Sequence, residues 1–310
     1  MKGWLSTLLI GISTSLLAFE YQKVVDCEPI SMMPSIDICE DSHLEKISKT
    51  NIRDHITLIG AHEDLPLQVV PLRKSPAPNS MEVRIVFPKE RSLERTDRIR
   101  SQVRLIGFPL GVKTRVPYLP TLRENEYGQH VRVVVDNREY FSLYLNAEDS
   151  ADANLDVYRK TLSYSLPKDL QNGEHIIRVF PVLSFGESVK KPRNFDVTTF
   201  YKNTDQPVVN QSLTAPYITY NEPQGEYKLE DPSDPVLLDF YLSNCTLSRE
   251  GYRVEVSIDG EKMGYLYQWS PYLIYGPKKG THNIRVVLVG PDDQIVPGDF
   301  NVNERDIVIK

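Results

Sequence analysis

The second two-thirds of the chain repeats one pattern twice. One stretch reads VRVVVDNREYF (131–141), then LSYSLPKDLQNGEHIIRVFPV (162–182), then NFDVTTFY (194–201). A later stretch reads YRVEVSIDGEKMG (252–264), then LIYGPKKGTHNIRVVLV (273–289), then DFNVNERDIVI (299–309). The matches keep their order. Asp136-Asn137 aligns with Asp259-Gly260, Tyr164 with Tyr275, and Pro167-Lys168 with Pro277-Lys278. Gly173, His175 and Arg178 align with Gly280, His282 and Arg285, and Phe195 aligns with Phe300. Each copy is built of short alternating runs separated by turn residues, the pattern of β-strands. Asp-Asn and Asp-Gly both read as two-residue hairpin turns, because these residues tolerate positive φ.

Upstream of the first copy, His55–Ile59, Leu67–Leu72, Met81–Phe87 and Gln102–Gly107 are further strand-like runs. The chain carries 17 Tyr and 22 Pro. Tyrosine suits half-buried pleated surfaces and proline interrupts helices, so both point to an all-β protein rich in turns. The strand spacing, the Gly-x-His strand openings and the Asp-Asn/Asp-Gly hairpins resemble the tandem immunoglobulin-like or fibronectin-III-like modules of bacterial secreted and surface proteins. The resemblance covers roughly residues 66–310 and lacks the Cys…Trp…Cys core of antibody domains. It implies two antiparallel β-sandwiches, at 55–203 and 216–310, joined by a linker at 204–215. It implies no particular function, since this fold hosts many.

The N-terminus, MKGWLSTLLIGISTSLLAFE, has a lysine, an apolar run and then Ala18, the outline of a secretory signal over 1–18. Glu20 ends the run short of the 20 or so apolar residues that span a bilayer. The alternative is an uncleaved signal anchor, since Leu16 is not a small residue. Residues 19–54 read as an irregular leader. Cys27 and Cys39 lie there, either as a disulfide or as two free thiols. Export implies a periplasmic, cell-surface or secreted protein. The formal charge of −6 lacks the basic footprint that nucleic acid requires.

Four features invite a site. His175 and His282 recur at one position of the repeat, which favours a structural role for both. Asp152, Asn154 and Asp156 alternate as oxygen ligands for calcium would, with Glu148 and Asp149 beside them. Val157 and Ser163 stand where an EF-hand needs Gly and Glu, so the competing reading is a solvated acidic loop. Tyr265, Tyr267, Trp269 and Tyr272 form the densest aromatic stretch. The first three share one face of an extended strand, either a platform for a sugar or protein or part of the core. Asn221-Glu222-Pro223 matches a motif of barrel glycosidases but lacks the barrel context, so it reads as a turn. No Gly-x-Ser-x-Gly and no phosphate loop occurs. The expectation is a non-enzymatic envelope or extracellular protein without a cofactor, serving in spacing or in protein or glycan recognition. The alternative is a carbohydrate-binding or calcium-dependent adhesion module.

Overall fold

The computed structural model describes residues 67–78, 80–114, 122, 124–145, 158–191, 194–204, 211–230 and 234–310. The signal, the leader with Cys27 and Cys39, and the His55–Ile59 run lie outside these residues. The described residues form strands and no helix. In chain order the strands are β1 (Gln68–Pro71), β2 (Glu82–Phe87), β3 (Ser92–Glu94), β4 (Arg100–Ile106), β5 (His130–Val135), β6 (Phe141–Leu143), β7 (Arg159–Ser165), β8 (Gly173–Val182) and β9 (Asp196–Lys202). There follow β10 (Tyr217–Glu222), β11 (Gly225–Tyr227), β12 (Val236–Ser243), β13 (Arg253–Ile258), β14 (Glu261–Leu266), β15 (Tyr272–Tyr275), β16 (Gly280–Val289) and β17 (Val302–Ile309).

These strands build two β-sandwiches on one plan. In the first, sheet β2-β4-β7 stands with sheet β3-β9-β8-β5-β6. In the second, β10-β12-β15 stands with β11-β17-β16-β13-β14. Both orders are those of immunoglobulin-like sandwiches. In each copy the opening strand changes sheets. β2 pairs antiparallel with β4, and its continuation β3 runs parallel to β9; β10 and β11 do the same with β12 and β17. A cis proline stands at each crossing, Phe87-Pro88 and Glu222-Pro223. Each sandwich has its own core, around Val103, Leu105, Val133 and Val179 in the first and Leu238, Phe240, Val256 and Val286 in the second.

One strand departs from the expected order. By sequence, Leu67–Leu72 falls within the first sandwich, residues 55–203. Instead β1 pairs antiparallel with β15, Gln68 opposite Tyr275 and Pro71 opposite Tyr272, and completes the four-stranded sheet of the second. Leu67 and Val69 are buried in the second core, while Leu72 packs against the first. The cause is a missing strand. The second copy joins β14 to β15 through Tyr267–Pro271, five residues, too few to form an edge strand beside β15.

The hairpin expectation holds in one copy. Asp259 (φ 53°) and Gly260 (φ 81°) close a two-residue turn between the paired Ile258 and Glu261. In the first copy only Asp136 (φ 54°) of the pair has positive φ, and five residues, Asp136–Tyr140, separate β5 from β6.

These aspartates explain the repeated histidines. His175 Nδ1 lies 2.8 Å from Asp136 Oδ2, and its Nε2 lies 2.7 Å from the Gln171 carbonyl. His282 repeats this with Asp259 Oδ2 (2.7 Å) and the Lys278 carbonyl (2.7 Å). The other carboxylate oxygen accepts the next backbone N–H, from Ile176 or Asn283. Both ring nitrogens face acceptors, so each ring binds best as an imidazolium. Burial opposes that charge, but the aspartate and carbonyl hydrogen bonds prevail and raise both pKa values. A raised folded-state value means this stabilisation is complete below the unfolded value of about 6.5 and is lost as pH rises through the folded value. Urea midpoints are therefore expected to fall as pH rises from about 6.5 through the raised folded-state values, and the His175→Gln/His282→Gln double variant to flatten that slope. An unchanged slope in the double variant would assign the pH dependence to other groups.

Candidate functional site

The residues with the most unusual surroundings lie where the two sandwiches meet. An exposed sheet should bury alternate residues, yet every residue of β5 (HVRVVV) and β10 (YITYNE) is buried. Their outer faces cover each other across a seam, and that seam takes in charged groups. The Arg132 guanidinium, from β5, forms an ion pair with Glu222 and donates to Asn221 Oδ1, both from β10. Glu222 also accepts the hydroxyls of Tyr140 (3.0 Å) and Tyr227 (2.6 Å). The Arg132 guanidinium lies 3.8 Å above the Tyr140 ring centre. Burial, backed by the Glu222 charge and hydrogen bond and opposed by the Arg132 charge, holds the Tyr140 phenol above its usual range; burial and Glu222 do the same for Tyr227.

The network continues inward. Asn221 Nδ2 donates to Asp239 Oδ2 (2.7 Å) and to the Gly186 carbonyl (2.8 Å). Asp239, on β12, pairs with Lys190 from the loop after β8, and accepts the Ser188 N–H at 3.1 Å. Beside it, Glu187 accepts the backbone N–H (2.9 Å) and hydroxyl (2.6 Å) of Ser75, in the segment after β1. Burial pushes the Glu187 carboxyl up, against the pull of Lys190 and Ser75. An apolar half completes the seam. Val134, Phe180 and Val182 of the first sandwich pack with Tyr241 of the second. Tyr241 stacks on Phe195 (centroids 4.6 Å) and meets Trp269 edge-on (4.9 Å). Arg178 crosses to Thr219 Oγ1 (2.9 Å) and lies 3.6 Å above the Phe300 ring centre.

At one end the seam opens into a cleft of about 830 Å³. Tyr127, Tyr140, Tyr144 and Tyr227 line it, with Arg132 and Glu222 at its inner wall. Tyr127 is 57% exposed and its ring centre lies 5.0 Å from that of Tyr144. His130 packs on Tyr144 at 4.7 Å, and its Nδ1 meets the Gly128 carbonyl at 2.9 Å. Burial, with the Arg132 charge behind it, lowers the His130 pKa to about 3, so the ring stays neutral. The arrangement offers aromatic faces and hydroxyls to a ligand. It offers no nucleophile paired with a base.

The aromatic candidates do not form a shared platform. Tyr272 is 1% exposed in the second core, with its hydroxyl on the Gln268 carbonyl (2.8 Å). Trp269 lies beyond the end of β14, donates to the Phe240 carbonyl (3.2 Å) and belongs to the seam. Tyr265 and Tyr267 remain half-buried at 6.4 Å, beneath Lys262 and Arg249 respectively. Asp152, Asn154 and Asp156 lie outside the described residues, and among the described residues no group of three metal-binding side chains occurs. Cys245 is a free thiol packed against the second core, its pKa pushed up by burial to about 11. The seam residues went unread in the sequence. Asn221-Glu222-Pro223, which reads as a turn in the sequence, ends β10 and forms the crossing point between its sheets. The available signal was a charge inside an apolar strand: Arg132 in HVRVVV and Asp239 in VLLDFYL.

The strand orders define tandem immunoglobulin-like sandwiches. No protein-family model matches the sequence, and no curated protein matches it. Among solved structures, the fibronectin(III)-like modules of CbhA from Clostridium thermocellum are similar over 74% of this chain and 94% of theirs, at 14% identity and a TM-score of 0.25. A chimeric titin Z1Z2-Z1Z2 tandem is similar over 74% of this chain and 99% of its own, at 11% identity and a TM-score of 0.21. A β-glucuronidase from Parabacteroides merdae is similar over 74% of this chain but 24% of its own, at 13% identity and a TM-score of 0.22. The fold assignment rests on the strand orders and not on these likenesses.

Proposed function

We propose that this is a non-enzymatic protein, exported to the envelope or beyond, that recognises a protein or glycan partner in the cleft between its two sandwiches. The carrying observation is the set of four tyrosines around that cleft, backed by a buried ion pair that fixes Tyr140 and Tyr227. Tyrosine presents a large, rigid face with a hydroxyl, a combination that suits sugar rings and protein hot spots. The polar seam behind the cleft supports a spacing role too, because it ties the sandwiches together where a bare linker would not. The charged groups of the seam, Arg132 with Glu222 and Lys190 with Asp239, are paired with each other, which favours recognition over proton transfer.

Glycan and peptide arrays probed with the full chain test this reading. Tyr127→Ala is expected to weaken binding at least tenfold, the effect of losing one hot-spot side chain of about 1.4 kcal/mol or more. Because Tyr127 is exposed, the melting temperature should barely move. Undiminished binding by the variant would remove the cleft from recognition.

A further inference from the structure

We infer that the outer edge of β15 is a strand-acceptor site, specific for an extended segment with apolar residues at alternate positions, and that the chain fills it with its own residues 67–72 as a separable donor. The inference is independent of the cleft.

The geometry supports it in three ways. The donor is foreign to the module it completes, since the whole first sandwich, β2 to β9, intervenes in the chain between β1 and β10. The acceptor cannot fill the place itself, because only Tyr267–Pro271 connects β14 to β15. The fit is of side chains as well as backbone. Four residues pair in register, and the Leu72 N–H donates to the Pro271 carbonyl at 2.8 Å. Leu67 (8% exposed) and Val69 (2%) enter the second core, while Gln68 between them is exposed. Main-chain pairing with pockets for alternate side chains is how sheet edges capture extended peptides. Without β1, β15 would present an unpaired edge above two open apolar sockets.

The connection after β1 allows the donor to be cut free. Residues 72–78 are irregular, and Arg73, Lys74 and Pro76 are exposed. A protease-cleavable sequence inserted after Pro76 in the full chain permits cutting after folding. The cut protein is expected to exchange its upstream fragment for a labelled synthetic peptide, Leu-Gln-Val-Val-Pro-Leu-Arg (67–73), at one per chain. A peptide carrying Val69→Asp should bind at least a hundredfold more weakly. Loss of the upstream fragment with an unchanged melting temperature and no peptide uptake would overturn the inference. Hydrogen exchange on the uncut chain gives a readout that does not depend on cutting. The amides of Val70 and Leu72, which face β15, should be protected to the same degree as those of β15, and exchange at the rate of unstructured chain would overturn the inference equally.

Discussion

Asp239→Ala is expected to lower the unfolding free energy by about 3–5 kcal/mol, because it strands a buried lysine. The Asp239 side chain is 0% exposed and that of Lys190 is 1% exposed. With the carboxylate gone, the Lys190 ammonium keeps Ser188 Oγ at 2.9 Å and the Ser188 carbonyl at 3.4 Å, and loses its hydrogen-bonded carboxylate; Glu187 attracts it only from beyond ion-pair distance. Asn221 Nδ2 loses one of its two acceptors and the Ser188 N–H loses its acceptor. A pair of apolar residues can replace a buried ion pair at little cost, whereas breaking one is expensive. The Asp239→Leu/Lys190→Met variant should therefore recover much of the loss. Urea unfolding of the three proteins measures this. An Asp239→Ala loss below about 1 kcal/mol would place the pair in water and not in a sealed seam.

Tyr241→Ala should cost a similar amount, about 3–5 kcal/mol, by a different mechanism. Tyr241 is 3% exposed, meets Phe180 and Phe195 across the seam and rests against Trp269 of its own sandwich. Removing its ring leaves a cavity between two rigid sheets that cannot close together. Its hydroxyl donates to the Lys191 carbonyl at 2.6 Å. Tyr241→Phe should thus cost only about 0.5–1.5 kcal/mol, the value of one hydrogen bond. Trp269 reports on the site directly, since the only other tryptophan is Trp4. Tyr241→Ala should shift Trp269 fluorescence to the red as water reaches the indole, and Tyr241→Phe should not. An unshifted spectrum in the alanine variant would mean that the indole does not rest on Tyr241.

The repeat made the strands legible, since β5, β8, β13 and β16 fall within its matched stretches. The structural reading of His175 and His282 was legible for the same reason: two copies of one turn need the same clasp on the same aspartate. What stayed hidden was non-local. Leu67–Leu72 announces a strand by its alternation, but nothing in six residues names a partner two hundred residues away. Trp269 looked like a continuation of the Tyr265–Tyr267 face, until β14 ended at Leu266 and its side chain turned into the seam. Glu222 carries no local signal of burial. Its surroundings come from Arg132 and Tyr140, 90 and 82 residues upstream.

The two sandwiches, the crossing strand and the sealed seam should unfold as one cooperative body. Scanning calorimetry on the full chain tests it most directly. A fused body predicts one unfolding transition for the sandwiches, with calorimetric and van't Hoff enthalpies equal. Two resolved transitions, each with the enthalpy of a single sandwich, would contradict it.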